Sequence, residues 1–124
     1  RPPVGSRAVT GITLAMLAEM MKLAENLGID PRRLPQVFAG GFADSRMLQV
    51  HGPRIAERDK AILGHAKTLL KDLDLVYQAA KDSSTAMPLT GAARELWRLF
   101  CAIGNDREDV VSLIRMYEPA KPTR

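Results

Sequence analysis

Cysteine is almost missing: Cys101 stands alone in 124 residues. That excludes an intramolecular disulfide and fits a reducing compartment, so a cytoplasmic location is expected. Aromatic residues are scarce, with three Phe, two Tyr and one Trp, and none is interleaved with a basic cluster. A base-stacking platform is therefore excluded. The net charge of +4 forms no basic stripe either, because Arg and Lys alternate with acids in "ERDK" and "NDRED". No nucleic-acid partner is expected. Long apolar runs are absent: "ITLAMLA" is interrupted by Glu19 and Lys22, well short of the roughly 20 residues a membrane span needs. His51 and His65 are the only histidines, and with one cysteine they offer no zinc-ligand spacing, so no metal site is expected. A Gly-rich phosphate loop and a G-x-S-x-G elbow are also missing. No repeats appear, and no stretch alternates apolar and polar residues as a half-buried strand would.

What remains is helical. Apolar residues make up 46% and charged residues 26%, enough for one modest core, so residues 1–124 read as a single all-α domain. Ser6 is placed to cap a first long helix running to about Leu27, with Gly28 as its stop. Ile12, Met16, Met20, Leu23 and Leu27 recur at helical spacing, and Leu14 and Leu17 widen the apolar surface, so this helix should be contacted from two sides. Gly11 within it weakens the helix and hints at close packing. Asp30 and Pro31 begin a second helix, which "AGGFADS" breaks. Asp44 or Ser45 caps a third, ending near Gly52-Pro53, and "RIAERDKAILG" is a polar connection. A long helix follows from about Gly64 to Lys81, with Ala66, Leu69, Leu70, Leu73, Val76, Tyr77 and Ala80 inside roughly 120° of arc. Thr85 and Pro88 open another through Ala102. Asn105 or Asp106 caps the last, "REDVVSLIRMY", which Pro119 closes. The sum is a bundle of five to six helices.

Within the fourth segment, Lys67 and Lys71 stand four residues apart, so a helix places like charges one above the other. Asp74, three residues on, could neutralise them on a solvated face. Alternatively both lysines look into a cleft and meet an anion. Spacing leaves both open. His51 and His65 read as surface or supporting residues, Cys101 as a small buried hydrophobe, and the six Met as core fillers.

"LLKDLDLVYQAA", then "MPLTGAARELWRLFCAIG" and "DREDVVSLIRMYE", preceded by "AEMMKLAENLGIDPRRLPQVFAGGFADSRMLQVHGPRIAERD", resembles the C-terminal helical domain of the β-hydroxyacid dehydrogenases. That family includes 3-hydroxyisobutyrate dehydrogenase and 2-hydroxy-3-oxopropionate reductase. "GGFADSR" is most similar to the reductase and threonate-dehydrogenase branch. The resemblance runs from about Val4 to Glu118 and implies the 6-phosphogluconate dehydrogenase type of helical domain. It implies that a Rossmann domain holds NAD or NADP, and that a long helix leads into an all-α domain. That domain closes the cleft over a small hydroxy acid and builds a homodimer or larger assembly. The Lys of its K-D-L motif, here Lys71, would reach the cofactor beside the nicotinamide. Asp72 would orient the helix. The "GGFADSR" turn would line the substrate side, making Ser45 and Arg46 candidates for a carboxylate or hydroxyl.

The sequence departs from the family in two respects. It has no G-x-G-x-x-G fingerprint for a Rossmann domain. The family's catalytic Lys, from a G-x-G-x-x-x-K-x-x-N motif opening the long helix, also has no counterpart: "PVGSRAV" resembles the motif's start, but Thr10, Gly11, Ile12 and Thr13 follow. Hydride transfer at a C–OH needs a group that gives and takes the hydroxyl proton; Arg7 stays protonated and Thr10 is a poor acid. No catalytic residue is therefore assigned. The chain by itself is expected to be inactive and to bind NAD or NADP tightly only within a larger parent. The competing expectation is a stand-alone, non-catalytic helical dimerisation module.

Overall fold

The computed structural model describes residues 4–119. The first helix, α1, spans Val4–Asn26 and forms the wall on which the other long helices lean. Leu14, Leu17, Ala18, Met21 and Ala24 are all buried along it. It begins before Ser6, so Ser6 is not the cap. That residue sits in the first turn, and its carbonyl accepts Thr10 Oγ1 at 2.9 Å. The helix stops as expected. Gly28 takes φ +77°, and Ile29 N–H reaches back to the Ala24 carbonyl at 2.8 Å, closing the end in the left-handed manner that glycine allows.

Asp30 accepts from Arg32 N–H and starts a single 3-10 turn, Pro31–Arg33, that flows into α2, Leu34–Phe38. Helix α3, Arg46–Ala56, is capped by Ser45, whose Oγ accepts Leu48 N–H at 3.0 Å. It does not end at Gly52-Pro53. Pro53 lies in its last turn, where the lost N–H bond is offset by burial of Ile55 and by the contacts Arg54 makes. Buried Gly52 lets α3 approach α1: a Cβ there would meet Met21, Pro35 and Leu48 at 3.2–3.3 Å.

Helix α4, Ala66–Asp82, and α5, Pro88–Phe100, form a hairpin against α1. Of the predicted stripe on α4, Ala66, Leu69, Leu73, Val76 and Ala80 are buried, and Leu70 and Tyr77 are only part-buried. Gly11 marks the crossing of α1 and α4, where a Cβ would stand 3.0 Å from both Leu73 methyl carbons. The Gly11 carbonyl accepts the indole N–H of fully buried Trp97 at 3.2 Å. Trp97 in turn meets Phe100 edge to face at 6.0 Å.

A wide turn, Cys101–Asn105, in which Gly104 takes φ +106°, leads to a C-terminal 3-10 helix, Val110–Tyr117. Its cap is Asp109, not Asn105 or Asp106, because Asp109 is the residue whose carboxylate reaches amides from two directions. Five α-helices and this 3-10 helix make the six-helix, all-α architecture that the periodicity predicts. Among the described residues the only extended pairing is an isolated bridge between His65 and Asp109.

Candidate functional site

The start of α4 is held from outside. His65 gives no side-chain cap. Instead the first two amides of the helix, Ala66 and Lys67, donate to the Glu108 and Asp106 carbonyls, each at 2.9 Å. Those are two of the four donors that a helix N-terminus leaves unpaired. Beside them, fully buried Asp109 gathers the preceding strap. Its Oδ1 accepts Leu63 N–H at 2.7 Å and Gly64 N–H at 3.0 Å, and its Oδ2 accepts Val111 N–H at 2.9 Å and Arg54 Nη2 at 3.1 Å. Arg54, itself only 13% exposed, also donates to Asp59 at 2.8 Å and to the Ala61 carbonyl at 2.9 Å. Its Nη1 lies 3.1 Å from His51 Nδ1. This hub escaped the sequence reading. The signal was present, since an Asp directly before the apolar pair Val110-Val111 is an N-cap pattern.

On the helix so anchored, Lys67 and Lys71 are both exposed. Asp74 does not neutralise them: it pairs with Arg94 at 2.6 Å, and Arg94 also stacks over the Tyr77 ring at 4.8 Å. Asp72 faces the other way and pairs with Arg7 at 3.2 Å, which seats α4 on the first turns of α1. Glu95 is paired with Arg98 at 2.7 Å. Among the described residues no carboxylate lies within ion-pair distance of Lys67 or Lys71. Leu70, between the two lysines in sequence, lines an open groove of about 570 Å³ with Arg98, Leu99, Cys101 and Asp106.

Ser45 and Arg46 lie elsewhere. Ser45 is committed to capping α3, and its N–H donates to Asp44 Oδ1 at 2.8 Å. Asp44 also accepts from Gly40 N–H and the Gln49 side chain, fixing the "GGFADS" turn on which Phe42 is fully exposed. Arg46 is exposed at the first position of α3. Helices α3 and α4 both lean on α1, and no described hydrogen bond or ion pair joins Ser45 or Arg46 to Lys71.

No poised proton donor emerges from the remaining candidates. Burial, then the Arg54 charge, holds the His51 imidazole below its usual range, with Asp109 opposing. His65 is exposed, and its Nδ1 lies 2.8 Å from the Arg107 carbonyl. Cys101 is half-buried at the groove, not deep in the core, and burial followed by the Asp106 charge pushes its thiol up. Among the described residues no cluster of His, Cys, Asp or Glu could hold a metal ion, and no helix is long and apolar enough to cross a membrane.

The described residues thus form an all-α domain with two exposed lysines, Lys67 and Lys71, on α4. A family model described as "NAD-binding of NADP-dependent 3-hydroxyisobutyrate dehydrogenase" matches residues 6–117. The chain belongs to that family, the β-hydroxyacid dehydrogenases, as their helical domain. It is 31% identical over 115 residues to the 2-hydroxy-3-oxopropionate reductase of Escherichia coli, covering 93% of this chain and 39% of that protein. It is 28% identical to the L-threonate dehydrogenase of Cupriavidus necator, covering 90% and 38% respectively. A crystal structure of 3-hydroxyisobutyrate dehydrogenase from Salmonella typhimurium superposes with a TM-score of 0.85 at 24% identity, covering 91% of this chain and 40% of that one, which supports the fold. The chain thus spans about two fifths of the curated relatives it matches.

Proposed function

We propose that this domain supplies the cofactor-facing helix of an NAD(P)-dependent hydroxyacid dehydrogenase, and that Lys71 is its contact with the nicotinamide cofactor. The observation that carries the reading is Lys71 itself, an exposed cation without a carboxylate partner on a helix seated by Asp72–Arg7 against the first turns of α1. Those turns are where, by the family resemblance, the cofactor-holding domain would join. When bound, the nicotinamide gives or takes the hydride; Lys71 would fix its position through charge and hydrogen bonding. The substrate would be a small hydroxy acid of the kind named in the relatives, such as 2-hydroxy-3-oxopropionate or L-threonate. Arg46 would meet its carboxylate, and Ser45 would hold Arg46 in place by capping α3. The 124 residues alone would be inactive, because they carry neither the G-x-G-x-x-G fingerprint nor a counterpart of the lysine in the family's G-x-G-x-x-x-K-x-x-N motif.

The test is steady-state kinetics on the complete parent enzyme. Lys71→Ala should raise the KM for NADH or NADPH at least tenfold, whereas Arg46→Gln should raise the KM for the hydroxy acid and leave that of the cofactor alone. Unchanged cofactor kinetics in Lys71→Ala would return that lysine to an ordinary solvated role.

A further inference from the structure

The start of α4 is electrostatically frustrated. The amino end of a helix carries partial positive charge and favours acidic residues, yet the first turn of α4 has none and carries Lys67. One turn on stands Lys71, in the i,i+4 relation that sets like charges about 5–6 Å apart at Cβ. Of the neighbouring acids, Asp72 turns to Arg7, Asp74 to Arg94 and Glu95 to Arg98, and Asp106, whose carbonyl accepts the Lys67 N–H, makes no ion pair with either lysine. The helix cannot easily shift to ease the repulsion. Its first amides are pinned by the Glu108 and Asp106 carbonyls, and Asp109 fixes the strap before it. Because those amides are occupied, any anion drawn here is held by the two ammonium groups and not by the helix terminus.

We propose that Lys67 and Lys71 together form a two-point clamp for a dianionic phosphate group. The proposal rests on the reading that Lys71 faces a ligand, and adds Lys67 as the residue that selects a doubly charged one. Two ammonium groups one helical turn apart match the oxygens of one phosphate, whereas a single carboxylate would neutralise only one of them.

The experiment is an amide NMR titration of the 124-residue chain with inorganic phosphate at neutral pH, against sodium chloride of equal ionic strength. Amides 67–71 should shift saturably with phosphate and not with chloride. Lys67→Gln and Lys71→Gln should each weaken the response tenfold or more. Lys67→Glu should abolish it while raising Tm by about 2–4 °C, since the new acid sits at the favourable helix end and pairs with Lys71. That combination shows the variant is folded and that the lysine serves a ligand, not stability. Equal responses to phosphate and chloride would overturn the proposal, as would Lys67→Gln binding within twofold of the wild type. Two further arms, run on the complete parent enzyme, identify the source of the phosphate. Preference for NADPH over NADH assigns it to the 2′-phosphate on the adenosine side of the cofactor and moves Lys71 away from the nicotinamide, and preference for 3-phosphoglycerate over glycerate assigns it to the substrate. If phosphate binds through both lysines but neither dinucleotide moves the Lys71 resonances of the complete parent enzyme, the clamp stands and the cofactor reading falls.

Discussion

Removing the Asp109 carboxylate should come close to unfolding the domain. Asp109→Ala would strand three amide donors, Leu63, Gly64 and Val111, now bonded at 2.7, 3.0 and 2.9 Å, and would leave the Arg54 guanidinium without its buried anion. A buried donor left unpaired costs about 1–3 kcal/mol, and breaking one side of a buried ion pair costs about 3–5 kcal/mol. These overlap, since the strap can relax and admit water, so the expected loss is about 4–5 kcal/mol. A domain of this size has about 5–15 kcal/mol in total. Asp109→Asn keeps an oxygen for Leu63 and Gly64 but turns an NH2 group toward Val111 N–H or Arg54, and should lose about 2–3 kcal/mol. Urea melts followed by far-ultraviolet circular dichroism and by fluorescence of the single, buried Trp97 would measure both variants. Hydrogen exchange should show protection falling first at Leu63 and Gly64. A loss below about 1.5 kcal/mol for Asp109→Ala would refute the reasoning, because the carboxylate would then be replaceable by water.

Two further outcomes follow from geometry described above. His51 is held below its usual pKa by burial and by Arg54, so the unfolded chain takes the proton first as pH falls through about 6.5. Stability is therefore full above that value and declines between it and the lower folded-state pKa. His51→Gln should flatten this limb in urea midpoints compared at about pH 7.5 and 5.5, and an unaltered slope would exclude His51 as its source. On α1, Val9, Met16 and Leu23 repeat every seven residues and are 62%, 45% and 49% exposed, beside a groove of about 190 Å³ lined by Ile12, Leu89 and Leu96. A second copy of the chain is expected to cover this stripe. Sedimentation should give a dimer at tens of micromolar that Met16→Glu converts to monomer, and a clean wild-type monomer would sink the idea.

Periodicity made α4 legible, since of its predicted stripe Ala66, Leu69, Leu73, Val76 and Ala80 are buried and Leu70 and Tyr77 part-buried. On α1 it found the helix but not the face, because Leu14 and Leu17 are buried while Met16, Leu23 and Leu27 stay exposed. Asp30-Pro31 was legible because an N-cap acts over two residues, with no need for distant partners. What could not be read depends on tertiary partners. Among Asn105, Asp106 and Asp109, the choice of cap is made by the amides of Leu63 and Gly64, some 45 residues away in the chain. Pro53 reads as a helix stop, yet α3 passes through it because Ile55 is buried and Arg54 is engaged four ways. Of the candidate site, the motif offers Lys71, and the structure shows it exposed. That Asp74 would turn to Arg94 and leave the lysines bare was settled by the α4–α5 hairpin, which no spacing rule contains.

The covering of α1 by the C-terminal 3-10 helix bears on how the chain is made. Tyr117 bonds Glu19 across 98 positions, and Glu118 reaches Lys22 across 96 and Arg58 across 60. A ribosome therefore releases the longest helix nearly a hundred residues before the segment that shields its flank. Throughout that interval α1 is open to chaperones and to other nascent chains. A message cut short near Gly104 would yield a polypeptide whose α1 lacks the partners that Tyr117 and Glu118 supply to Glu19 and Lys22.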